Sequence, residues 1–455
     1  MKEYYIIKPS SLNLEQRLKQ FPPNFKFCKD YALWLISEII KKTAYKLENK
    51  EEEIWVPLCS MIAKKHPYGY RKHLRYLCDN FPNVGNVLFR KEYTKGSCYS
   101  YRLSPHFFGQ EVEIKKITDK KMLKFLRRDE YLESDNAFKK NYNFLAKYFN
   151  EKLTIQTTEA NEKNKALFGN EFDYRKHLFN AVQICDIANK EFCISYTYKT
   201  DGRLHHQLTR LSKPFRQFLK YEGKKLAECD VSASVPTILI FLLIHMGRGS
   251  EHLDSVICSG KEYYPHYMFC KSEVEPINSE IALFAQQVLS GKFYELFIED
   301  MQKLNHFKVT IKKGEYCFEK IDDDSEVEVK EDKQNLRKIV KRQILAMFNA
   351  RPSYHLKAEA VFNNHFPSIL KWIKTFKKSN HKYFSYLTLQ LESYFMLNIV
   401  ARKFNSKFRG KKPLFTLHDC LITTEDNIDE LHHFMKETLS EALNFTPILK
   451  VEVWE

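Results

Sequence analysis

The periodicity of hydrophobic and polar residues changes twice along the chain. Residues 55–103 predict a helix, a basic helix and a hairpin, from the segments "WVPLCSMIAKKH", "GYRKHLRYLCDN" and "NVLFRKEYTKGSCYSYRLS" with its Lys95-Gly96 turn. Residues 114–190 are highly charged and predict helices. From residue 191 onward, strand-like and helix-like segments are mixed. The pattern therefore predicts an α+β protein divided into residues 1–110, 111–190 and 191–455.

The order of elements in residues 55–103 resembles a winged helix, a fold that binds nucleic acid. The second predicted helix carries a run of basic residues: Arg71, Lys72, His73 and Arg75. On the winged-helix interpretation, Arg71, Lys72 and Arg75 contact nucleic acid. An ordinary helical hairpin with a solvated basic face explains the same pattern, so both interpretations stay open.

Two aspartates further along the chain have the same local setting. Asp230 ends the strand-like segment "KLAECD" and is followed by the apolar run "VPTILIFLLIHM", while Asp419 lies within "LFTLHDCLITTED". Burying a carboxylate costs several kcal/mol unless a group pairs with it. Taken alone, each aspartate is explained as a helix N-cap or a turn residue. Side by side on neighbouring strands, however, the two would repel each other unless cations lay between them.

Two metal ions would remove that repulsion. Held about 3.5–4 Å apart, two divalent ions clamp the attacking and leaving oxygens of a phosphoryl transfer. Carboxylate oxygens are the ligands that Mg²⁺ prefers, so Asp230 and Asp419 are a candidate site for two Mg²⁺ ions, with Mn²⁺ as a substitute. The acidic tip of another predicted hairpin, residues 322–324, is interpreted as a solvated turn, since three adjacent acids cannot all face one ion.

The net charge and the cysteine content indicate which partner and which cellular location to expect. Lys and Arg number 73 against 57 Asp and Glu, and the excess of +16 favours a polyanionic partner such as nucleic acid. The most apolar run, residues 235–246, is too short to span a bilayer, and the first residues lack a signal-peptide core, so we expect no membrane partner. Eleven cysteines without a C-x-x-C pair argue against disulfides and a zinc knuckle, and predict a reducing, cytoplasmic location.

Several segments in residues 191–455 together resemble the palm and fingers of family A DNA polymerases and of the related single-subunit, phage-type RNA polymerases. The first is "TDGRLHHQLTRLSKPFRQFL", with Arg203 and Arg216, and "ECDVSAS" then matches motif A. "SGKFYELF" resembles a glycine-led helix, and "NLRKIVKRQILAMFNA" resembles motif B with Arg337 and Lys341. The remaining segments follow in the family's order: "AVFNNHFPSILKWI", "LQLESYFMLNIVARKF" with Gln390, "LFTLHDCLITTED" as motif C, and "TPILKVEVW".

The resemblance implies a role for each matching residue. Asp230 and Asp419 would bind the catalytic metals, and Arg337 and Lys341 would grip the triphosphate from one face of the fingers helix. The residues implied to contact template or primer are Arg203, Arg216, Gln390 and His418. The implied fold is a polymerase right hand, with an antiparallel palm sheet and helical fingers in residues 191–455 and a thumb-like or linking helical region in residues 111–190.

Four residues depart from the family pattern. Val235 stands where family A DNA polymerases carry a Glu that helps to exclude the ribose 2′-hydroxyl. Phe348-Asn349 replaces the aromatic-Gly pair that closes motif B, and Cys420 replaces an acid of motif C. Selection between dNTPs and NTPs is therefore open at Val235, Phe348 and Asn349. Residues 1–190 carry no motif of a proofreading exonuclease, so we expect no editing.

Three functions remain in play. The leading hypothesis is a monomeric, template-directed nucleotidyltransferase that uses nucleoside triphosphates and a nucleic acid template, with DNA favoured, to replicate or prime a mobile element. A single-subunit RNA polymerase is the alternative within the same fold. The second hypothesis is a non-catalytic, nucleic-acid-binding replication initiator, and the third is a nuclease or other phosphohydrolase that uses Asp230, Asp419 and His418 as metal ligands. Arg337 and Lys341 on one helix face favour the polymerase.

Overall fold

The computed structural model describes residues 3–49, 54–58, 68–92, 98–126, 132–246, 278–303, 307–312, 315–320, 333–378 and 380–455. The chain forms two compact units. The first consists of Met1–Ser195, His205–Leu226 and Val453–Glu455, and the second consists of Tyr196–Leu204 and Ala227–Glu452. Helices and antiparallel strand pairs occur in both units, so the predicted α+β class is confirmed.

The elements assigned to the first unit are short strands and helices in alternation. The strands are β1 (Tyr5–Pro9), β2 (Val56–Pro57), β3 (Leu88–Arg90), β4 (Ser100–Leu103), β5 (Val112–Lys116), β6 (Leu132–Ser134), β7 (Leu153–Ile155) and β10 (Leu219–Tyr221). Two further strands are shared with the second unit: β8 (Phe192–Tyr196), which ends there, and β9 (Leu204–His205), which begins there. The helices are α1 (Leu14–Gln20), α2 (Lys29–Glu48), α3 (Tyr70–Cys78), α4 (Lys120–Leu126), α5 (Asn136–Tyr142), α6 (Thr157–Leu167), α7 (Tyr174–Asn189) and α8 (Gln207–Arg210), with 3₁₀-helices at Asn143–Tyr148 and Lys213–Phe218.

The core of the first unit is built around α2, whose apolar residues are buried along most of its length. The helix packs against β1 and α7, and β1 pairs with β5 in antiparallel register, with Ile7 opposite Ile114. At the start of α2 the buried carboxylate of Asp30 accepts hydrogen bonds of 2.6 Å from the backbone N–H groups of Thr118 and Asp119. Burial of the apolar face and satisfaction of this acid together fix the helix in place.

A second group of charged residues lies about three helical turns further along α2. The ammonium of Lys41 is 2.8 Å from a carboxylate oxygen of Asp186 and 2.6 Å from one of Glu191, and we call these three residues the Lys41 cluster. Burial raises the pKa of Asp186 to about 6, against the attraction of Lys41. For Glu191, burial again raises the pKa, but the attraction of Lys41 together with hydrogen bonds from Lys41 and Tyr4 lowers it overall. The cluster therefore neutralises its acids with a cation from the same unit.

The helix and hairpin of residues 68–103 agree in part with the sequence pattern. A strand, β2, lies at Val56–Pro57, where the pattern predicted the first turn of a helix. The reason is pairing, because Val56 lies opposite Tyr101 of β4. The helix α3 and the β3–β4 hairpin follow as predicted, and the strand order is β2-β4-β3. Residues 59–67 and the predicted Lys95-Gly96 turn lie outside the described residues.

His73 is not on the basic face of α3, contrary to the sequence pattern. Its side chain is buried, and its Nε2 accepts a hydrogen bond of 3.0 Å from the backbone N–H of Cys28. Burial lowers the pKa of this imidazole, which keeps it neutral. Residues 114–190 also differ from an all-helical region, because they include most of β5 and all of β6 and β7.

The second unit carries longer helices and a sheet. Its strands are β11 (Lys224–Val231), which begins in the first unit, β12 (Phe307–Lys312), β13 (Glu315–Lys320), β14 (Phe415–Leu417), β15 (Cys420–Thr424) and β16 (Leu449–Val453). Its helices are α9 (Ser234–Met246), α10 (Asn278–Leu289), α11 (Ile298–Lys303), α12 (Lys333–Asn349), α13 (Leu356–His365), α14 (Pro367–Phe376), α15 (Lys382–Ser393), α16 (Arg402–Lys407) and α17 (Ile428–Leu443), with a π-helix at Tyr394–Ala401 and 3₁₀-helices at Glu295–Phe297 and Glu425–Asn427.

The sheet of the second unit places three strands around β11. The β14–β15 hairpin is antiparallel, β15 neighbours β11, and β16 pairs with β11 as well. The apolar helix α9 follows β11 directly and packs against α10 and α15, and α12 packs against α13 and α15. The β12–β13 hairpin forms as the pattern predicted, and its acidic tip, residues 322–324, lies outside the described residues.

The last residues of the chain return to the first unit. The backbone N–H of Trp454 donates a 3.0 Å hydrogen bond to the carbonyl of Leu226, and the guanidinium of Arg216 lies 5.5 Å from the centroid of the Trp454 ring. Trp454 is itself buried. Within the described residues, no helix is both long and apolar enough to cross a membrane.

Candidate active site

The structure brings Asp230 and Asp419 together. Asp230 is the last residue but one of β11, and Asp419 lies in the two-residue turn that joins β14 to β15. His418 precedes it with a φ of 58°, a positive value that a two-residue hairpin turn requires at its first position. The N–H of Val231 donates a 3.3 Å hydrogen bond to the carbonyl oxygen of Asp419. Asp419 therefore sits at the tip of a hairpin, beside the end of the strand that carries Asp230.

The negative charge of the Asp230 carboxylate is only partly balanced by nearby positive charge. Its pKa is raised to about 7, first by burial, then by the negative charges of Asp419 and Glu228, while Lys341 lowers it. In the described part of the chain no ion pair joins Asp230. A carboxyl group in this state is stabilised by any cation that reaches it. The two aspartates thus form an acidic site that would accept positive charge.

Two buried glutamates that the sequence analysis did not select lie in the same field. Glu228 precedes Asp230 by two residues on β11, so both side chains point to the same face of the strand. The Sγ of Cys420 lies 3.9 Å from a carboxylate oxygen of Glu228. Glu392 on α15 is 3% exposed, and burial raises its pKa, with Arg203 opposing and Asp419 adding to the shift. The acidic side chains of the site therefore lie on a strand, a hairpin and a helix.

Glu392 holds two groups in place. Its Oε1 accepts a 3.1 Å hydrogen bond from Nε of Arg203 and a second, shorter bond from the same guanidinium. Its Oε2 accepts a hydrogen bond from the hydroxyl of Ser234, at the start of α9. A buried acid that meets an arginine and a serine from distant parts of the sequence fixes both, because breaking such a pair leaves a buried charge without a partner.

The loop that carries Arg203 is fastened to α15 by further bonds. The side-chain amide of Gln390 donates a 2.7 Å hydrogen bond to the carbonyl of Thr200, and the hydroxyl of Ser393 donates to the carbonyl of Gly202. Gly202 has a φ of 67°, and a Cβ on it would lie 3.4 Å from Cγ of Gln390. The positive φ is the reason that glycine suits this position, because the contact of a Cβ with Gln390 would be an ordinary van der Waals distance. Arg203 and Gln390 are thus anchored within the second unit.

Two cations of α12 face the site across an aromatic ring. Arg337 and Lys341 lie one helical turn apart, with Arg337 Cζ at 5.4 Å and Lys341 Nζ at 5.9 Å from the centroid of the Tyr294 ring. Burial raises the pKa of Tyr294, Arg337 lowers it and Asp419 raises it, so this ring lies in the fields of both the cations and the aspartates. Nε of Arg337 also makes a 2.8 Å ion pair with Glu295.

The other predicted site residues occupy varied positions. Val235 is half-buried in the first turn of α9. Phe348 is fully buried in an aromatic cluster, 5.5 Å from the ring centroid of Phe362, whereas Asn349 is exposed and accepts a 2.6 Å hydrogen bond from the hydroxyl of Ser385. His418 is half-buried in the hairpin turn. Arg216 belongs to the first unit, and Arg71, Lys72 and Arg75 are exposed on α3.

The donor set fits a divalent cation bound by carboxylates. Asp230 and Asp419 supply hard oxygen ligands, and the raised pKa of Asp230 identifies a charge that such an ion would relieve. Among the described residues, no group of three or more His, Cys, Asp or Glu side chains is arranged to hold a metal ion. Two protein carboxylates with substrate phosphates are a common way to bind Mg²⁺, because this ion keeps several of its other ligands as water or phosphate.

Sequence reasoning missed Glu392, Tyr294 and Glu228 as site residues. Glu392 carried the same signal that identified the aspartates, an acid within an apolar segment, here "LQLESYF". Glu228 shares the strand face of Asp230 by simple alternation. Tyr294 offered no such signal, because an aromatic residue in a helical segment is most often a core residue.

No protein-family model matches the chain, and no curated protein matches it. Among solved structures, the chain is similar to the POL domain of Pol1 from M. smegmatis in complex with DNA primer-template and dNTP. The similarity covers 64% of this chain and 55% of that chain, with 12% sequence identity and a TM-score of 0.25. The chain thus spans about half the length of that solved chain. At a TM-score of 0.25 the likeness carries no argument about the fold, the site or the function.

Proposed function

We propose that the protein is a template-directed nucleic acid polymerase that transfers nucleotides by two-metal phosphoryl transfer. The observation that carries the proposal is the convergence of Asp230 and Asp419 with the cations of α12 nearby. A phosphoryl transfer needs acidic metal ligands on one side of the triphosphate and fixed positive charge on the other. On this proposal the second unit is the palm and fingers of a right hand, with the sheet around β11 as the palm and α12 as the main fingers helix.

Asp230 and Asp419 would hold two Mg²⁺ ions, which would activate the attacking hydroxyl and stabilise the leaving pyrophosphate. Lys341 is exposed and is proposed to pair with the leaving pyrophosphate, where the family resemblance also gives it the role of proton donor. Arg337, oriented by Glu295 and Tyr294, is proposed to hold the triphosphate as a bidentate donor. Glu392 is a positioning residue, because it acts through Arg203 and Ser234.

The nucleic acid is proposed to be bound by residues of both units. In the second unit these are Arg203, Gln390 and His418, and in the first unit Arg216. The proposed DNA-binding module is a winged helix in the first unit. Its support is the helix α3 followed by a hairpin, with strand order β2-β4-β3 and exposed Arg71, Lys72 and Arg75. The division at residues 110 and 190 stays a prediction, as does a monomeric enzyme serving a mobile element.

DNA synthesis is proposed over RNA synthesis. The compact spacing from Arg203 to Asp230 resembles the DNA polymerases, whereas Val235 removes the acid that those enzymes use against a 2′-hydroxyl. Glu392 takes a hydrogen bond from Ser234, the residue before Val235, so an acid is present next to this position from a different helix. Sugar discrimination is proposed to be weaker than in a family A enzyme with its own motif A acid.

The deciding experiment is extension of a labelled primer-template, and of template alone, with dNTPs or NTPs and Mg²⁺ or Mn²⁺. The wild type and Asp230→Asn are compared, with Asp429→Asn as the matched control, because Asp429 is an exposed aspartate in the first turn of α17. Binding of Mn²⁺ is followed by electron paramagnetic resonance in the same variants, which reports the metal site without turnover.

Extension that disappears only in Asp230→Asn, together with loss of bound Mn²⁺, supports the polymerase. DNA binding without extension by the wild type under all conditions supports a non-catalytic initiator instead. Shortening of the labelled strand in the presence of metal, without nucleotides, supports the nuclease.

A further inference from the structure

A pocket in the first unit is formed by residues that the phosphoryl-transfer chemistry does not use. It lies between α3 and the β3–β4 hairpin and has a volume of about 600 Å³. Arg71 and Arg75 line it from the helix, and Arg90, Tyr99 and Tyr101 line it from the hairpin side. Pockets of roughly 300–1,000 Å³ are the size that proteins use for small organic ligands.

The periodicities of the two elements explain why these side chains meet. Arg71, Leu74 and Arg75 are spaced by three and four residues, so they share one face of α3. Arg90 of β3 lies directly opposite Tyr101 of β4, so their side chains project from the same face of the hairpin. Tyr99 precedes Tyr101 by two residues and therefore shares that face. A cationic helix face thus meets a strand face with two aromatic rings.

The pocket has a charged rim and an apolar floor. In the described part of the chain, no carboxylate pairs with Arg71, Arg75 or Arg90, and no acid is among the described lining residues. The guanidinium of Arg90 lies 5.0 Å from the centroid of the Tyr99 ring, which is 44% exposed. The floor includes buried Leu74 and Tyr101. Three cations around one cavity repel each other, and a bound anion relieves that repulsion.

We propose that this pocket binds one unpaired nucleotide of a nucleic acid strand. The base lies against the floor of Leu74 and Tyr101 and stacks on the exposed ring of Tyr99, and the phosphate is held by the rim arginines. Aromatic rings and guanidinium planes both stack on bases, and arginine forks bind phosphate oxygens bidentately. A helix that only followed duplex phosphates would need no apolar floor behind its arginines. The inference rests on the proposed function only in taking nucleic acid as the ligand.

The test compares two duplexes that differ by one nucleotide. The full-length protein is titrated in EDTA against a fluorescent blunt hairpin duplex, and against the same duplex with a single unpaired nucleotide. Stacking of one base predicts about tenfold tighter binding to the second duplex. Cys98→Trp should abolish this ratio, because Cys98 is exposed, lines the pocket and carries no charge, so the substitution fills the cavity without removing a cation.

Matched variants separate the pocket from general phosphate binding. Arg90→Ala should lower the ratio towards one. Lys72→Ala, on the same helix but not lining the pocket, should weaken binding to both duplexes equally and keep the ratio. All variants are checked for an unchanged thermal midpoint. A wild-type ratio near one, or a ratio that survives Cys98→Trp, would overturn the proposal.

Further binding measurements identify the ligand and test the pocket independently of the proposed polymerase activity. An unpaired abasic nucleotide retains the phosphate but lacks the base, so binding as tight as that of the intact nucleotide would overturn the proposal. Displacement by a free dNTP at micromolar concentration would support the pocket chemistry and assign a free nucleotide as its source. Asp230→Asn, which should remove extension, is expected to keep the ratio. A ratio that depends on Cys98 and Arg90 in a protein without extension activity would retain the pocket and refute the polymerase.

Discussion

The Lys41 cluster and the candidate active site are both groups of buried and half-buried acids, but they differ in the positive charge that the described residues bring to them. In the Lys41 cluster an ammonium from the same unit lies within 2.8 Å of one carboxylate and 2.6 Å of another. In the candidate site the pKa of Asp230 is raised to about 7, and Lys341 opposes the shift without an ion pair to that acid among the described residues. In the Lys41 cluster the protein itself supplies the cation, whereas on the proposed function the acids of the candidate site take their cation from solution.

The largest expected effect is the loss of activity in Asp230→Asn. Extension of a primer-template should fall by at least about 10³-fold, because a metal ligand and transition-state charge stabilisation are lost together. The metal-free protein should be as stable as the wild type or more stable, because the substitution removes a half-buried charge that Asp419 and Glu228 repel. Single-turnover extension and urea unfolding in EDTA measure the two effects. Clear destabilisation with full activity would place Asp230 in the same class as the Lys41 cluster.

For Lys41→Met, in contrast, we expect a loss of stability. Removing the cation that pairs with buried Asp186 and half-buried Glu191 should lower the free energy of unfolding by about 3–5 kcal/mol, because both carboxylates lose that partner. Lys42→Met is the control, since Lys42 is the exposed neighbour on the same helix. Urea unfolding of both variants decides the matter. Equal stability of the two variants would show that the cluster contributes little.

A smaller effect is expected for Lys341→Ala. The turnover of bound nucleotide should fall by about 10²-fold, because the charge that develops on the leaving pyrophosphate loses one fixed cation. Arg342→Ala is the control, because Arg342 is an exposed cation that follows Lys341 by one residue and so lies on a different face of α12, and this variant should retain the wild-type rate. The measurement is single-turnover extension at saturating nucleotide. A wild-type rate in Lys341→Ala at saturation would limit this lysine to ground-state binding.

The pH dependence of stability should also differ between metal-free and metal-bound protein. The pKa of Asp230 is raised from an unfolded value of 3.8 to about 7, so its contribution to stability is fully present below pH 3.8 and is lost as the pH rises through 7. Urea unfolding in EDTA should therefore show falling stability across this window. Mg²⁺ should reduce the slope of stability against pH, and Asp230→Asn should remove the part of that slope that Asp230 contributes. An identical slope in Asp230→Asn would mean that other groups cause it.

The smallest effect is expected on the selection between dNTP and NTP. Val235→Glu should shift the ratio of kcat/KM for dNTP over NTP towards dNTP by about tenfold or less, because one buried polar group commonly discriminates by about 1–3 kcal/mol. Val235→Leu is the control, since it adds bulk without an acid. Matched dNTP and NTP on one primer-template give the ratio. Strict deoxynucleotide selectivity in both wild type and variant would assign the gate to another residue.

Local periodicity predicted the elements that carry the candidate site. The strand before Asp230, the hairpin around Asp419 and a helix from Lys333 all lie where the pattern placed them. Strand alternation and helical spacing are properties of neighbouring residues, so a single sequence records them. The same reasoning failed at Val56, where pairing with a strand some 45 residues further along the chain decides the local conformation.

The features that could not be predicted depend on contacts between residues that are distant in sequence. Glu392 meets Arg203 across 189 residues of sequence, and no local pattern indicates which arginine a buried acid will meet. His73 was assigned to a basic face by composition, but it accepts a hydrogen bond from Cys28, 45 residues away. Tyr294 joins the cations of α12 to the field of Asp419 only because separate segments pack together.

The return of the chain to the first unit at Val453–Glu455 has a consequence during synthesis on the ribosome. Trp454 supplies a ring beneath Arg216 and a backbone hydrogen bond to Leu226, yet residues 227–452 are translated between these partners. At about 5–20 residues per second, Trp454 is added roughly 10 to 45 s after Leu226. The nascent first unit must therefore wait, with the place of an aromatic side chain open, until translation has passed through the whole of the second unit.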